Sequence, residues 1–196
     1  MRYEQAQSIE SVQNGLEGQG YFPSEGLASA IFLAISLQRP IFLEGEPGVG
    51  KTEVAKVLSS WLDTDLIRLQ CYEGLDASHA IYEWDYSKQL LHLRTTEASG
   101  RAKQIDEKAL EDELYNQRFL VRRPLLKAID YEGETPPVLL IDELDRADDE
   151  FEAFLLELLS DYSITIPEIG AFKATAPPIV VITSNRTRDV HDALKR

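Results

Sequence analysis

The sequence predicts an α/β fold in which a parallel sheet is sandwiched by helices and carries inserted hairpins. Three observations predict it. Segments 40–44, 138–141 and 179–182 are continuous aliphatic runs rather than alternating ones, the pattern of strands buried on both faces of a parallel sheet. Amphipathic helical stretches fall between them. Each run ends in glycine or polar residues, at Gly45, at Asp142-Glu143 and at Thr183-Ser184-Asn185. In open α/β sheets the ligand lies beyond the carboxyl ends of the strands, so these three endings should converge on one site.

Taken in order, Ser24 can cap a helix running to Leu37, with Leu27, Ala30, Ile31, Ala34 and Ile35 on one face. The first strand follows at 40–44, then a glycine-rich loop, a helix over 51–62 and the next strand at 65–70. The chain between Gln70 and Val138 is far longer than a simple crossover needs, so 71–135 must carry an insertion. It contains Tyr82-Glu83-Trp84-Asp85-Tyr86, the doublet Leu90-Leu91, a charged helical stretch near 105–114 and a second amphipathic piece at 119–129. Asp148 or Asp149 caps a helix to about Leu159, in which Phe151, Phe154, Leu155 and Leu158 repeat at helical spacing. Residues 162–166 alternate, then Pro167-Glu168-Ile169-Gly170 turns toward 172–174, a hairpin signature.

Composition narrows the function classes. The 196 residues suit one compact domain, and 43% hydrophobic with 28% charged content excludes disorder as the dominant state. Asp+Glu 34 against Lys+Arg 20 gives a net charge of −14, which works against gripping phosphate backbones or anionic lipid, so nucleic acid is not the expected partner. The single cysteine, Cys71, can close no internal disulfide and is too few for a structural zinc site. A reducing cytoplasmic location is expected, and any metal must be held by oxygen ligands. The N-terminus lacks an apolar signal core, and the longest near-apolar run, 27–37, falls short of the roughly 20 residues a membrane span needs.

The chemistry concentrates in three places. Gly45-Glu46-Pro47-Gly48-Val49-Gly50-Lys51-Thr52 matches the G-x-x-x-x-G-K-[ST] phosphate loop. Its glycines let backbone N–H groups turn inward around phosphate oxygens, a concavity that a Cβ would obstruct. Lys51 supplies a charge at the β/γ-phosphates, Thr52 a hydroxyl to Mg²⁺, and the following helix a positive end. A chance match in a chain this long has a probability of roughly 1%. Asp142 and Glu143, after four aliphatics, add what that loop lacks: Asp142 holds Mg²⁺ through water, and Glu143 polarises the attacking water as base. That acid pair favours hydrolysis over transfer to a substrate hydroxyl. Asn185 ends the third strand, where its amide could contact the γ-phosphate and hold the lytic water. Asp145, Asp148, Asp149, Glu150 and Glu152 read as a solvated, helix-capping face, with an inter-subunit surface as the alternative. His79, His92 and His191 show no ligand spacing, and Cys71 reads as a small buried residue.

These residues resemble the AAA+ ATPases, and among them the MoxR family. Residues 39–52, Arg-Pro-Ile-Phe-Leu-Glu-Gly-Glu-Pro-Gly-Val-Gly-Lys-Thr, are close to that family's RPxLLEGxPGxGKT; Asp142 to Ala147 is like its DExxRA, and Thr183-Ser184-Asn185 occupies its sensor-1 position. The 82–86 stretch with Gln89-Leu90-Leu91, and residues 118–126, look like the subgroup found with carbon monoxide dehydrogenase and related molybdenum hydroxylases. The resemblance covers nearly everything from Gly20 onward. It implies a P-loop NTPase core with strand order 5-1-4-3-2, ATP and Mg²⁺ as ligands, and self-association into a hexameric ring. It also implies a von Willebrand factor A domain protein as partner, and chaperone-like remodelling of a client enzyme during maturation or metal-cofactor insertion. The 71–135 insertion corresponds to the family's helix-2 insert, 164–174 to its pre-sensor-1 hairpin, and Tyr21-Phe22 to the segment that meets adenine. Set against that family, residues 1–196 are expected to be the large α/β domain, truncated before its last strand and helical lid; Arg196 is the arginine finger or the residue just before it.

Two further readings compete with the remodelling ATPase. One is an ATP-gated binding switch with negligible hydrolysis. The other is a nucleic-acid motor, which the charge disfavours; a kinase ranks below both.

Overall fold

The computed structural model describes residue 3 and residues 5–100 and 106–195. Helices α1 (Ile9–Gly18) and α2 (Glu25–Leu37) precede strand β1 (Ile41–Glu44), and α3 (Lys51–Trp61) leads to β2 (Leu66–Gln70). The insertion follows as α4 (Ala77–Ile81), β3 (Tyr82–Trp84), α5 (Tyr86–Ala98), α6 (Glu107–Leu114), β4 (Leu120–Arg122) and α7 (Pro124–Ile129). The chain then runs through β5 (Val138–Asp142), α8 (Asp149–Asp161), β6 (Ser163–Ile166), β7 (Gly170–Lys173) and β8 (Ile179–Ser184).

The central sheet is parallel throughout, in the order β1-β8-β5-β2. Counted in chain order these four strands run 1-4-3-2, the corresponding part of the 5-1-4-3-2 order; no fifth strand of this sheet lies among the described residues. The continuous aliphatic runs arise because both faces are covered. In β5, Leu139 and Ile141 join one hydrophobic cluster while Val138 and Leu140 join the other. In β8, Val180 and Ile182 face the first and Ile179 and Val181 the second. Alternate side chains therefore enter opposite cores, and no position is left to be polar. One core is closed by α1, α2 and α3 through residues such as Leu16, Ile31 and Leu58. The other is closed by α7, α8 and the β6–β7 hairpin through Leu126, Leu155 and Phe172.

Most expected elements are present. Ser24 caps α2 by accepting from Leu27 N, and Asp148 caps α8 by accepting from Phe151 N. The 162–174 segment is the antiparallel β6–β7 hairpin. The amphipathic piece at 119–129 is a correction, since it is not one element. Residues 120–122 pair antiparallel with β3, and a separate helix starts at Pro124. Proline forces Arg123 before it into extended backbone, at φ −89° and ψ 172°, so no helix can run through. Helix α1 has no counterpart in the sequence expectations, although Ser8 and Ser11 form a capping box and Val12 and Leu16 are buried. Of the charged stretch at 105–114, residues 107–114 form α6 and residue 105 lies outside the described residues. Arg196, the candidate finger, also lies outside them. Among the described residues no helix is long and apolar enough to cross a membrane.

Candidate functional site

The loop at 45–50 joins β1 to α3. Gly48 and Gly50 have φ of +85° and +91°, a region that residues with a Cβ avoid. A Cβ at either would meet no protein atom within 4 Å, so glycine is required here by backbone conformation rather than by crowding from the fold. Gly50 is the N-cap of α3 and offers no side chain to its first turn, so the N–H groups of Lys51 and Thr52 have no side-chain cap, while Glu53 N–H donates to the Gly50 carbonyl at 3.1 Å. Lys51 Nζ reaches back across the loop and donates to the carbonyls of Gly45 (2.7 Å) and Glu46 (2.8 Å).

Asp142 closes β5 and is almost fully buried, at 3% exposure. Its Oδ1 accepts from Thr183 Oγ1 (2.6 Å) and Thr52 Oγ1 (3.1 Å), while Oδ2 accepts from Arg68 Nη2 (2.6 Å). Thr183 thus does two things, because the same hydroxyl oxygen accepts from Glu143 N at 2.9 Å. Glu143 lies in the left-handed region (φ 56°, ψ 51°), an uncommon conformation for a residue with a side chain. Its carboxylate accepts from Gln70 Nε2 (3.1 Å) and pairs with Arg146 Nε (2.9 Å).

Asn185 follows β8, and its backbone N–H donates to Asp145 Oδ1 at 3.0 Å. Thr187 donates twice to Asp145 Oδ2, from its N–H (2.9 Å) and its hydroxyl (2.5 Å). Burial raises the Asp145 pKa, but the Thr187 hydroxyl and the N–H groups of Thr187 and Asn185 outweigh it and hold the carboxyl below its ordinary value. Glu152, 1% exposed, accepts from His191 N (2.7 Å) and pairs with Arg188. The solvated, capping face expected of the five acids is therefore corrected in part. Asp148 caps α8, and Asp149 and Glu150 are exposed, but Asp145 and Glu152 are buried clasps on the 185–191 segment. Their partners lie about 40 positions along the chain, beyond the reach of helical spacing.

Gly48, Gly50, Lys51 and Thr52 share one cleft of about 290 Å³ with Asp142, Glu143, Thr183 and Asn185. The ends of β5 and β8 converge with the loop that follows β1. Pro47 also lines this cleft, whereas Gly45, Glu46 and Val49 are loop residues outside its wall. Thr183, Arg68, Gln70 and Asp145 are the contacts that motif spacing does not reveal. Larger hollows beside residues 146–150 and beside Tyr72 contain none of the loop glycines, so size alone does not mark the site. Cys71 is buried next to it, and burial with the charges of Asp142, Asp145 and Glu143 pushes its thiol up to about 12. Among the described residues no group of three or more His, Cys, Asp or Glu could hold a metal alone. The Thr52 hydroxyl beside Asp142 fits Mg²⁺ shared with phosphate oxygens and water.

Comparison with known proteins gives a consistent picture. A family model for the AAA domain, dynein-related subfamily, matches residues 40–196. The chain is similar to the crystal structure of a candidate ATPase from Cytophaga hutchinsonii, with a TM-score of 0.58 at 18% identity. That match covers 96% of this chain but 46% of the other, so the chain spans less than half of that protein's length, and the likeness is one of fold. No curated protein matches it.

Proposed function

Since the chain belongs to the AAA domain family, dynein-related subfamily, we propose that it binds Mg²⁺·ATP in the cleft between the glycine loop and the ends of β5 and β8, and hydrolyses it there. The observation that carries this reading is the convergence of Lys51, Thr52, Asp142, Glu143 and Asn185 on one cleft. The residues at 45–52 bind phosphate through backbone N–H groups, with Lys51 as counter-charge. Thr52 and Asp142 hold Mg²⁺, which when bound supplies charge neutralisation at the phosphates. Glu143 is the base for the attacking water, and Asn185 orients that water and the γ-phosphate.

The finer reading is a MoxR-type remodelling ATPase. Its motor is a hexameric ring in the cytoplasm, and it acts on a client enzyme with a von Willebrand factor A domain partner. It is supported by the sequence of the phosphate loop and the Asp142–Ala147 stretch, together with the hairpin and insertion placed off the central sheet. The subgroup linked to molybdenum hydroxylases belongs to the same proposal.

The test is steady-state ATP turnover with separate nucleotide binding. Glu143→Gln should bind ATP with unchanged affinity and lose at least about 100-fold in turnover, while Lys51→Ala should lose binding. Unchanged turnover in Glu143→Gln would overturn the assigned base. One observation favours a second reading, an ATP-gated switch: Gln70 and Arg146 hold the Glu143 carboxylate. Turnover that rises steeply with protein concentration supports the ring enzyme, and near-zero turnover at every concentration supports the switch.

A further inference from the structure

Asp142 has two oxygens, and they are differently committed. Oδ1 already accepts from two hydroxyls, those of Thr183 and Thr52. Oδ2, which the Thr52 hydroxyl approaches only to 3.5 Å, is the oxygen more open to a metal-bound water, and it is the one on which Arg68 sits, at 2.6 Å. Arg68 projects from β2, the strand paired with β5, where Gln70 lies directly opposite Asp142. The same Arg68 nitrogen donates to Gln70 Oε1 at 2.6 Å, which aims the guanidinium at the carboxylate. The two partners differ in environment, since the Arg68 side chain is 52% exposed and that of Asp142 only 4%. A half-exposed arginine can swing into water at small cost, whereas a buried carboxylate needs a cation whichever one is available.

From this we propose that Arg68 is a tethered counter-cation that competes with Mg²⁺ for Asp142 and so sets how much Mg²⁺ the site needs to hold nucleotide. The inference rests on the nucleotide-binding reading above and deepens it. Mg²⁺·nucleotide displaces the guanidinium from Oδ2, and loss of Mg²⁺ lets it return, so the buried carboxylate is paired in both conditions. No hydrogen bond joins Arg68 to Lys51 or Thr52. Its removal should therefore change metal demand and leave the loop's grip on phosphate in place.

The experiment is a Mg²⁺ titration of binding of a fluorescent, non-hydrolysable ATP analogue to the whole chain as wild type, Arg68→Ala and Arg68→Lys. Arg68→Ala should reach half-saturation at about 3- to 10-fold lower Mg²⁺ than wild type. Arg68→Lys, which keeps the charge, should stay near wild type. An Arg68→Ala midpoint equal to or above that of wild type, with nucleotide still bound, overturns the competition and leaves the nucleotide reading standing. Failure of the wild type to bind the analogue at any Mg²⁺ overturns the nucleotide reading and this inference with it. Arg68→Ala strands the buried Asp142 carboxylate and should lower the melting temperature of the metal-free chain, whereas Arg68→Lys should keep the wild-type profile, so folded protein is verified for each variant before the titration.

Discussion

Removing the Asp145 carboxylate tests whether the segment after β8 is positioned by one buried acid. Three donors converge on it: Asn185 N–H, Thr187 N–H and the Thr187 hydroxyl. Hydrogen bonds to a charged group contribute about 1.5–3 kcal/mol each. They do not add, and Thr187 is exposed enough for water to replace part of what is lost. Asp145→Ala should therefore cost about 2–4 kcal/mol in denaturant unfolding. In a chain of this size that is a fall of roughly 5–15 °C in melting temperature. Asp145→Asn keeps one acceptor but turns an NH₂ toward at least one backbone donor, Asn185 N–H or Thr187 N–H, and should lose part of the same stability. The Asp145 pKa is lowered on folding, so its stabilisation is complete above the ordinary aspartate range near pH 4 and is lost as pH falls through the lowered native value. The gap between wild type and Asp145→Asn should accordingly narrow below about pH 4. Turnover should fall about tenfold or more while nucleotide affinity stays within about twofold, because Asn185 moves and the phosphate loop does not. A loss below about 0.5 kcal/mol together with unchanged turnover would refute the positioning role.

Three further outcomes follow from two buried groups, Cys71 and Glu152. Cys71, whose thiol is pushed up to about 12, should resist alkylation in the native chain at pH 8 and react in denaturant; equal rates in both would contradict its burial. Because a raised thiol pKa favours the protonated native form, Cys71 should also make the fold less stable as pH rises above about 8.5, and Cys71→Ala should flatten that alkaline loss. Arg188→Ala leaves Glu152 buried without its cation and should cost about 1–3 kcal/mol, partly recovered in Arg188→Ala/Glu152→Gln; no recovery in the double variant would show that the clasp is not electrostatic.

The central strands were legible in the sequence because burial on both faces leaves an unmistakable aliphatic run, as in 138–141 and 179–182. Ser24 and Asp148 were legible as caps because a cap is local, its acceptor and donor three residues apart. The 45–52 motif and the Asp142-Glu143 pair were legible because the chemistry proposed for them fixes spacing within a few residues. What was not legible depends on strand register. Arg68 and Gln70 reach Asp142 and Glu143 only because β2 lies next to β5 with Gln70 opposite Asp142. Thr183 reads as the start of a polar strand ending, yet the β5–β8 pairing makes it the bridge between two acids. Asp145 looked like one more acid before a helix, and only the fold brings Asn185 and Thr187 onto it.

Glu143 shows how those register-dependent contacts combine. A left-handed backbone in a residue with a side chain costs about 1–2 kcal/mol and persists only where surrounding contacts determine it. Here three contacts do so, and each comes from a different place: Thr183 from β8 on the backbone N–H, Gln70 from β2 on the carboxylate, and Arg146 from the turn that follows β5. The strands on both sides of β5 therefore fix the candidate base at once. Thr183 also binds Asp142, which binds Thr52, so the candidate base Glu143, the candidate metal-holding Asp142 and the first turn of α3 form one hydrogen-bonded chain. Thr52 and Glu143 are thus joined through only two side chains, Asp142 and Thr183.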